Sequence, residues 1–281
     1  MQKEEEDRIR QAAGADEDEI GRYLHDPSPA VIKALLANNR LTDQDALIIA
    51  RRKNLPGDVL DALARDKRWS EIYPIRLALA RNPKTPLIAA LSNARGLRLF
   101  DLAELAGSPL LPMVFRHKIE AVLTEKIPTV ALGLKRSLAK TVSGGVLLAL
   151  MKENDSDIIT ACLTNPRLTE ALLYKLISRK STRADTIQKI AGHPNWSSRY
   201  TVRLALVRNP HTPLARCVDF FPDLRTIDLR NLFGDPSVPT MVRPYLHQEL
   251  LSRGEQPEEA LFGEETLYEI TDEENAEGIA E

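Results

Sequence analysis

The chain repeats itself at an offset of 127 residues. The stretch WSEIYPIRLALARNPKTPL, Trp69 to Leu87, reappears as WSSRYTVRLALVRNPHTPL, Trp196 to Leu214. The correspondence runs without a gap from Ile32, opposite Ile159, to Arg116, opposite Arg243, with 33 identities over 85 positions. Agreement at that density predicts a tandem duplication. The fold is therefore expected to be one that can be laid down twice from the same block of residues.

A shorter period lies inside each block. Asn38, Asn82 and Gly107 open the junctions NNRLT, NPKTP and GSPLLP of the first copy. Asn165, Asn209 and Gly234 open NPRLT, NPHTP and GDPSVP in the second. These marks divide the block into about five units of roughly 25 residues, a spacing typical of stacked repeats. The residue before proline is driven out of the α region, so Asn-Pro and Asp-Pro end helices. Ser28-Pro29, Thr85-Pro86 and Thr212-Pro213 read as starts, with the hydroxyl as cap and proline at the first helical position. Thr42 to Asp45 reads as a further start. Between the marks apolar residues follow a helical period. Val31, Ile32, Leu35 and Leu36 fall at i, i+1, i+4 and i+5, and Leu168, Leu172, Leu173, Leu176 and Ile177 repeat the pattern. Alternation at period two never persists, so strands are not expected. Helices this short are unstable alone in water and must be held by their neighbours.

The charge is unevenly placed. Residues 1–20 hold eight acidic and three basic side chains, and residues 255–281 hold eleven acidic and no basic ones. Residues 21–254 keep 35 Lys and Arg against 21 Asp and Glu, an excess of about +14. The expected layout is an acidic N-terminal segment with a capping helix over 1–24 and a first helical-repeat block over 25–127. A second block follows over 128–254, then an acidic C-terminal tail over 255–281. The tail also carries Leu261, Phe262, Leu267, Tyr268 and Ile270, so two readings stand: a mobile tail that improves solubility, or a segment that docks on the basic body or on a partner. The longest apolar run, Val146 to Met151, is far too short to span a bilayer, so no membrane insertion is expected. The first residues, MQKEEED, lack the basic start and apolar stretch of a signal peptide. With only Cys162 and Cys217 there is no disulfide framework, and a cytoplasmic protein is expected.

Segments such as Val202 to Leu214 (VRLALVRNPHTPL) resemble bacterial leucine-rich-repeat-variant and HEAT-like repeats, in which a helix, an Asn-Pro turn and a Thr-Pro or Leu-Thr helix start alternate. The resemblance covers residues 25 to 250, and residues 117 to 150 match it least. It implies an all-α, right-handed HEAT-like α-solenoid, and a scaffolding or binding role rather than a particular activity. Some proteins of the variant class carry an N-terminal cysteine cluster for an iron–sulfur centre. No cysteine precedes Cys162 here, and two cysteines do not make the four ligands required.

The candidate ligand-binding residues are basic positions shared by both copies: Arg81 and Arg208, which lie just before Asn-Pro, then Arg40 and Arg167, Arg52 and Arg179, and Lys53 and Lys180. Equivalent positions in stacked units recur along one face, so these side chains are expected to line a positive stripe. The competing reading is that the arginines pair with nearby carboxylates or cap helix C-termini. Trp69, Trp196, Tyr73, Tyr200, Arg76 and Arg203 are read as structural, because they recur inside apolar helical flow. No catalytic residue, cofactor site or metal site is expected. The five histidines stand at no metal-ligand spacing, Ser143-Gly144-Gly145 lacks the Lys-Ser/Thr element of a phosphate loop, and Asp155-Ser156-Asp157 reads as a helix cap. The functional expectation is a non-enzymatic scaffold that binds a protein partner, one with an acidic surface, through a concave, partly basic face. Sequence-nonspecific nucleic-acid binding stands second, and an enzyme of unknown reaction third.

Overall fold

The computed structural model describes residues 2–153, 155–179 and 181–256, and over these the chain is all-α with many short helices and no strand. The order begins with α1 (Gln2–Gly14), α2 (Glu17–Tyr23), α3 (Pro29–Leu36), α4 (Asp43–Arg51), α5 (Gly57–Arg65), α6 (Tyr73–Arg81) and α7 (Leu87–Ala94). It continues with α8 (Leu99–Gly107), α9 (Met113–Lys126), α10 (Leu132–Ala139), α11 (Gly144–Met151), α12 (Ser156–Leu163) and α13 (Glu170–Ile177). It ends with α14 (Ala184–Gly192), α15 (Pro194–Ser197), α16 (Tyr200–Val207), α17 (Leu214–Phe220), α18 (Thr226–Phe233) and α19 (Arg243–Ser252).

Local chemistry sets most of the helix starts. Ser28 caps α3 through Val31 N–H with Pro29 at the first position, and Thr42 and Asp45 form a reciprocal capping box on α4. Thr169 caps α13, and Asp155 accepts from Asp157 and Ile158 N–H at the start of α12. Thr85 and Thr212 behave otherwise. Pro86 and Pro213 themselves occupy the cap position, and both threonines turn inward. The Thr212 hydroxyl donates to Leu206 O at 2.6 Å in the preceding helix end, whereas the buried Thr85 hydroxyl has no partner among the described residues.

Many helices bury one face against the helix next but one in the chain: α3 against α5, α4 against α6, α5 against α7, α7 against α9, α10 against α12, and α12 against α14, whereas α13 packs on α16 and the pairs α6–α7, α8–α9 and α18–α19 are neighbours in sequence. The apolar residues form two clusters that meet inside α6, one from Ala12 to Leu79 and a larger one from Ala80 to Leu250. Position 127 lies within the larger cluster, where Leu123, Ile127 and Leu138 pack into the same core. Each fully buried Leu or Ile contributes about 1.5–3 kcal/mol, so an eight-residue helix such as α3, with four buried aliphatic side chains, is stable only as packed.

Four buried asparagines tie the helix ends together. Asn38, Asn82, Asn165 and Asn209 follow α3, α6, α12 and α16, and none is more than 8% exposed. Asn38 Nδ2 donates to Ala12 O and Ala15 O at the end of α1, and Asn82 Nδ2 to Ala50 O and Arg52 O at the end of α4. Asn165 Nδ2 donates to Ala139 O and Val142 O at the end of α10, and Asn209 Nδ2 to Ile177 O at the end of α13. Each Oδ1 accepts the backbone N–H two residues on, from Arg40, Lys84, Arg167 and His211 respectively. The helix pairs bridged this way, α1 with α3, α4 with α6, α10 with α12 and α13 with α16, are all pairs in direct packing contact. A carboxylate at such a turn has no N–H to give. After α5, Asp66 therefore only accepts, from Arg68 N–H, and the Arg68 guanidinium supplies the donors to Leu36 O and Asn38 O.

Replacing Asn165 with alanine removes two donors and one acceptor from a dry site. It should lower the unfolding free energy by about 2–4 kcal/mol in a urea titration. A change below about 0.5 kcal/mol would mean that water satisfies these groups equally well.

Candidate functional site

The described surface holds two clefts that fall at equivalent places in the two copies. The first, about 450 Å³, is bounded by the end of α4 (Arg51, Lys53), by α6 (Tyr73, Leu77, Arg81), by α8 (Glu104, Leu105) and by Leu110 and Leu111 beyond it. The second, about 590 Å³, is bounded by the end of α13 (Tyr174, Ile177, Ser178, Arg179), by the end of α16 with its turn (Ala205, Arg208, Asn209, Pro210, His211) and by Ser237. Five positions coincide at the 127-residue offset: Arg51 with Ser178, Ala78 with Ala205, Arg81 with Arg208, Asn82 with Asn209, and Leu110 with Ser237. In each cleft one lining residue is an asparagine that bridges two helix ends, and a guanidinium from the preceding residue stands beside it.

The two clefts differ in where the carboxylate stands that pairs with the shared arginine. Arg81 Nη2 reaches Glu104 at 2.5 Å and Asp101 at 3.5 Å, so the first cleft carries its own carboxylate. At the position of Glu104 the second copy has Asn231. Arg208 Nε instead bonds Asp235 at 2.8 Å, and no acidic side chain lines the second cleft. The Asp235 carboxyl is pulled down to about 2, first by the Ser237 hydroxyl, then by Arg208 and by the Ser237 backbone N–H. Lys53 and Arg179 are exposed, and their side chains have no partner among the described residues.

The other basic candidates are engaged away from the clefts. Arg40 pairs with Asp16. Arg52 donates to Leu24 O at 2.6 Å and Asp26 O at 2.8 Å, and burial pulls its pKa down despite the nearby Asp26. Arg167 donates to Thr141 O at 2.8 Å and more weakly to Gly107 O. Its guanidinium covers the space a side chain at Gly107 would fill. Lys180 lies outside the described residues.

The residues read as structural sit in the packing. Trp69 is buried, and Trp196 is half-buried with Nε1 donating to Leu163 O at 2.8 Å. Tyr73 and Tyr200 donate to Asp101 and Asp228, and both hydroxyls accept a backbone N–H, from Arg98 and Arg225. Burial, followed by the Asp101 carboxylate, pushes the Tyr73 hydroxyl up. The Tyr200 hydroxyl and then Arg225 hold Asp228 low. Arg203 Nε donates to Ser197 O at 2.7 Å and Nη1 pairs with Asp223, whereas Arg76 meets Glu71 at 3.4 Å.

Sequence reasoning missed the second task of the asparagines, which it used only as helix stops. The available signal was that asparagine, with donor and acceptor together, stands at the same two junctions in both copies. Tyr174, His211 and Glu104 gave no such signal, since their part in the clefts arises from packing between units.

Among the described residues no group of three or more His, Cys, Asp or Glu is placed to hold a metal, and no helix is long and apolar enough to cross a membrane. Burial pushes both the Cys162 and Cys217 thiols up to about 12, which leaves them without thiolate character. Set against known proteins, the sequence matches no family model, no curated protein and no solved structure. What stands is an all-α, multi-helix chain with a pair of corresponding clefts.

The Asp235 carboxylate titrates below its ordinary value of about 3.9, so its contribution is present above that pH and is lost as pH falls toward about 2. Asp235→Asn should therefore lower the melting temperature at neutral pH, with the deficit closing across that acid window. A deficit that stays constant from neutral pH to about 2 would rule the charge interaction out.

Proposed function

We propose that this protein is a non-enzymatic interaction scaffold. In this reading it is a HEAT-like, right-handed α-solenoid of the leucine-rich-repeat-variant type, duplicated at 127 residues, that binds a segment of a protein partner along its clefted, partly basic face. Packing of many helices on a helix one to three places along the chain supports a stacked array, because units arranged in a line contact mainly their neighbours. Recurrence of the asparagine bridges at Asn38 and Asn165 and at Asn82 and Asn209 supports a common origin of the two halves. The observation that carries the functional reading is the pair of clefts at corresponding positions. Both are lined by aliphatic or aromatic side chains together with at least one basic side chain free of an ion pair.

That lining favours a polypeptide with apolar anchors and carboxylates over a nucleic-acid backbone. A phosphate-tracking surface needs many free cations in a row, whereas Arg40, Arg52 and Arg167 are held by a carboxylate or by helix-end carbonyls. Lys53 and Arg179 orient the ligand, and the apolar lining supplies most of the affinity.

Selection from a random peptide-display library should enrich acidic segments carrying aromatic or aliphatic residues. Lys53→Glu with Arg179→Glu should weaken the selected peptides by about tenfold or more, a loss of roughly 1.4 kcal/mol. Two results would overturn the reading: peptides indifferent to both substitutions, or binding confined to nucleic acid with a steep loss of affinity as salt rises.

A further inference from the structure

The second cleft and the place where the acidic segment leaves the described chain are linked through α18. Arg253 donates to Leu224 O at 2.6 Å and Phe221 O at 2.8 Å, which fixes the end of α19 against the turn between α17 and α18. Two residues on, Glu255 is gripped by Arg230 of α18 through contacts of 2.8 and 2.6 Å. Beyond the far end of α18 stands Ser237, a wall of the second cleft. Arg230 and Ser237 are seven residues apart, so at most roughly 24 Å separates them.

Residues 257–281 hold ten carboxylates and no basic side chain. Leu261, Phe262, Leu267, Tyr268 and Ile270 fall five to fourteen residues past Gln256, a reach of roughly 17 to 46 Å from it. The cleft presents the complementary chemistry: Arg179 without a partner, His211 exposed, Tyr174 52% exposed at the mouth, and no acidic lining residue. The first cleft also presents cations, Arg51 and Lys53 beside the Arg81–Glu104 pair, so the choice of the second rests on its place in the chain next to α18, which holds Glu255.

We propose that the acidic segment 257–281 occupies the cleft between α13, α16 and Ser237, so that the chain covers its own second binding site until a partner displaces it. This rests on reading that cleft as a peptide site. A tether of this length holds the segment at an effective concentration of the order of millimolar, so even a weak intrinsic contact keeps the cleft mostly filled. A competing ligand then binds more weakly by the fraction of cleft left open, and neutralising the segment raises its apparent affinity.

The test uses the full chain with a benzophenone side chain in place of Phe262, irradiated and mapped by mass spectrometry. The expected result is an adduct within one chain to Tyr174–Arg179 or Arg208–His211. The adduct should disappear at high salt and in Arg179→Glu with His211→Glu, both exposed positions whose replacement leaves the core intact. Adducts that map only to other helices, that join two chains, or that persist in the doubly substituted protein would overturn the proposal. In parallel, a selected acidic peptide is titrated against the full chain and against a variant in which the carboxylates of 257–281 are changed to amides. Tighter binding to the variant, by about tenfold, supports masking. Equal affinity for both overturns masking while leaving the cleft a peptide site. An adduct in the cleft with no peptide binding to either form retains the docked segment and overturns the scaffold reading.

Discussion

The stability of this chain depends on how it satisfies the carbonyl groups at its helix ends. An α-helix leaves its last four carbonyls without an internal partner, and in an eight-residue helix that is half of them. A protein built from helices such as α3, α12 and α16 therefore has an unusually large number of unmatched acceptors close to its core. The asparagine carboxamide meets the need in one step. Its two N–H groups take the carbonyls of the helix below, and its oxygen takes the amide that opens the following turn. Helix termination, turn geometry and contact with the neighbouring helix are thus settled by one side chain.

Where asparagine is absent, arginine does the same work from a distance. Arg68 serves Leu36 and Asn38, Arg52 serves Leu24 and Asp26, Arg216 serves Ala191, and Arg253 serves Phe221 and Leu224. A guanidinium presents several donors in one plane and favours the negative end of the helix dipole. Part of the positive excess of residues 21–254 is used in this way. Lys53 and Arg179 are among the basic side chains left without a partner among the described residues. The two copies show how freely the donor can change. Arg68 occupies the Leu36 carbonyl and leaves Trp69 Nε1 without a partner. In the second copy Asn195 replaces the arginine, and Trp196 Nε1 takes the equivalent carbonyl of Leu163.

The helical class was legible because Asn-Pro stops, Ser-Pro and Thr-x-x-Asp starts and the i, i+4 spacing of Val31 to Leu36 all act within a few residues. The threonine caps at Thr85 and Thr212 were misread because their hydroxyls answer to burial, which local sequence does not reveal. The candidate site was legible only in part. Arg81, Lys53, Arg208 and Arg179 line the clefts, whereas Arg40, Arg52 and Arg167 do not, although all share the same repeat spacing. Whether a guanidinium lines a cleft or meets a helix end depends on where the helix packed beside it places its last turn. Tyr174 and His211 enter the second cleft by the same route, from elements more than thirty residues apart.

The amides of Arg40, Lys84, Arg167 and His211 lie in turns, yet each donates to a buried asparagine oxygen. Native-state hydrogen exchange read residue by residue tests the account most directly. If the asparagines hold the packed helices together, these four amides exchange as slowly as those inside the adjoining helices, and their protection falls together with that of the helices as denaturant is added. Exchange at the rate of open loops, with the helices still protected, would show that the stack stands without them.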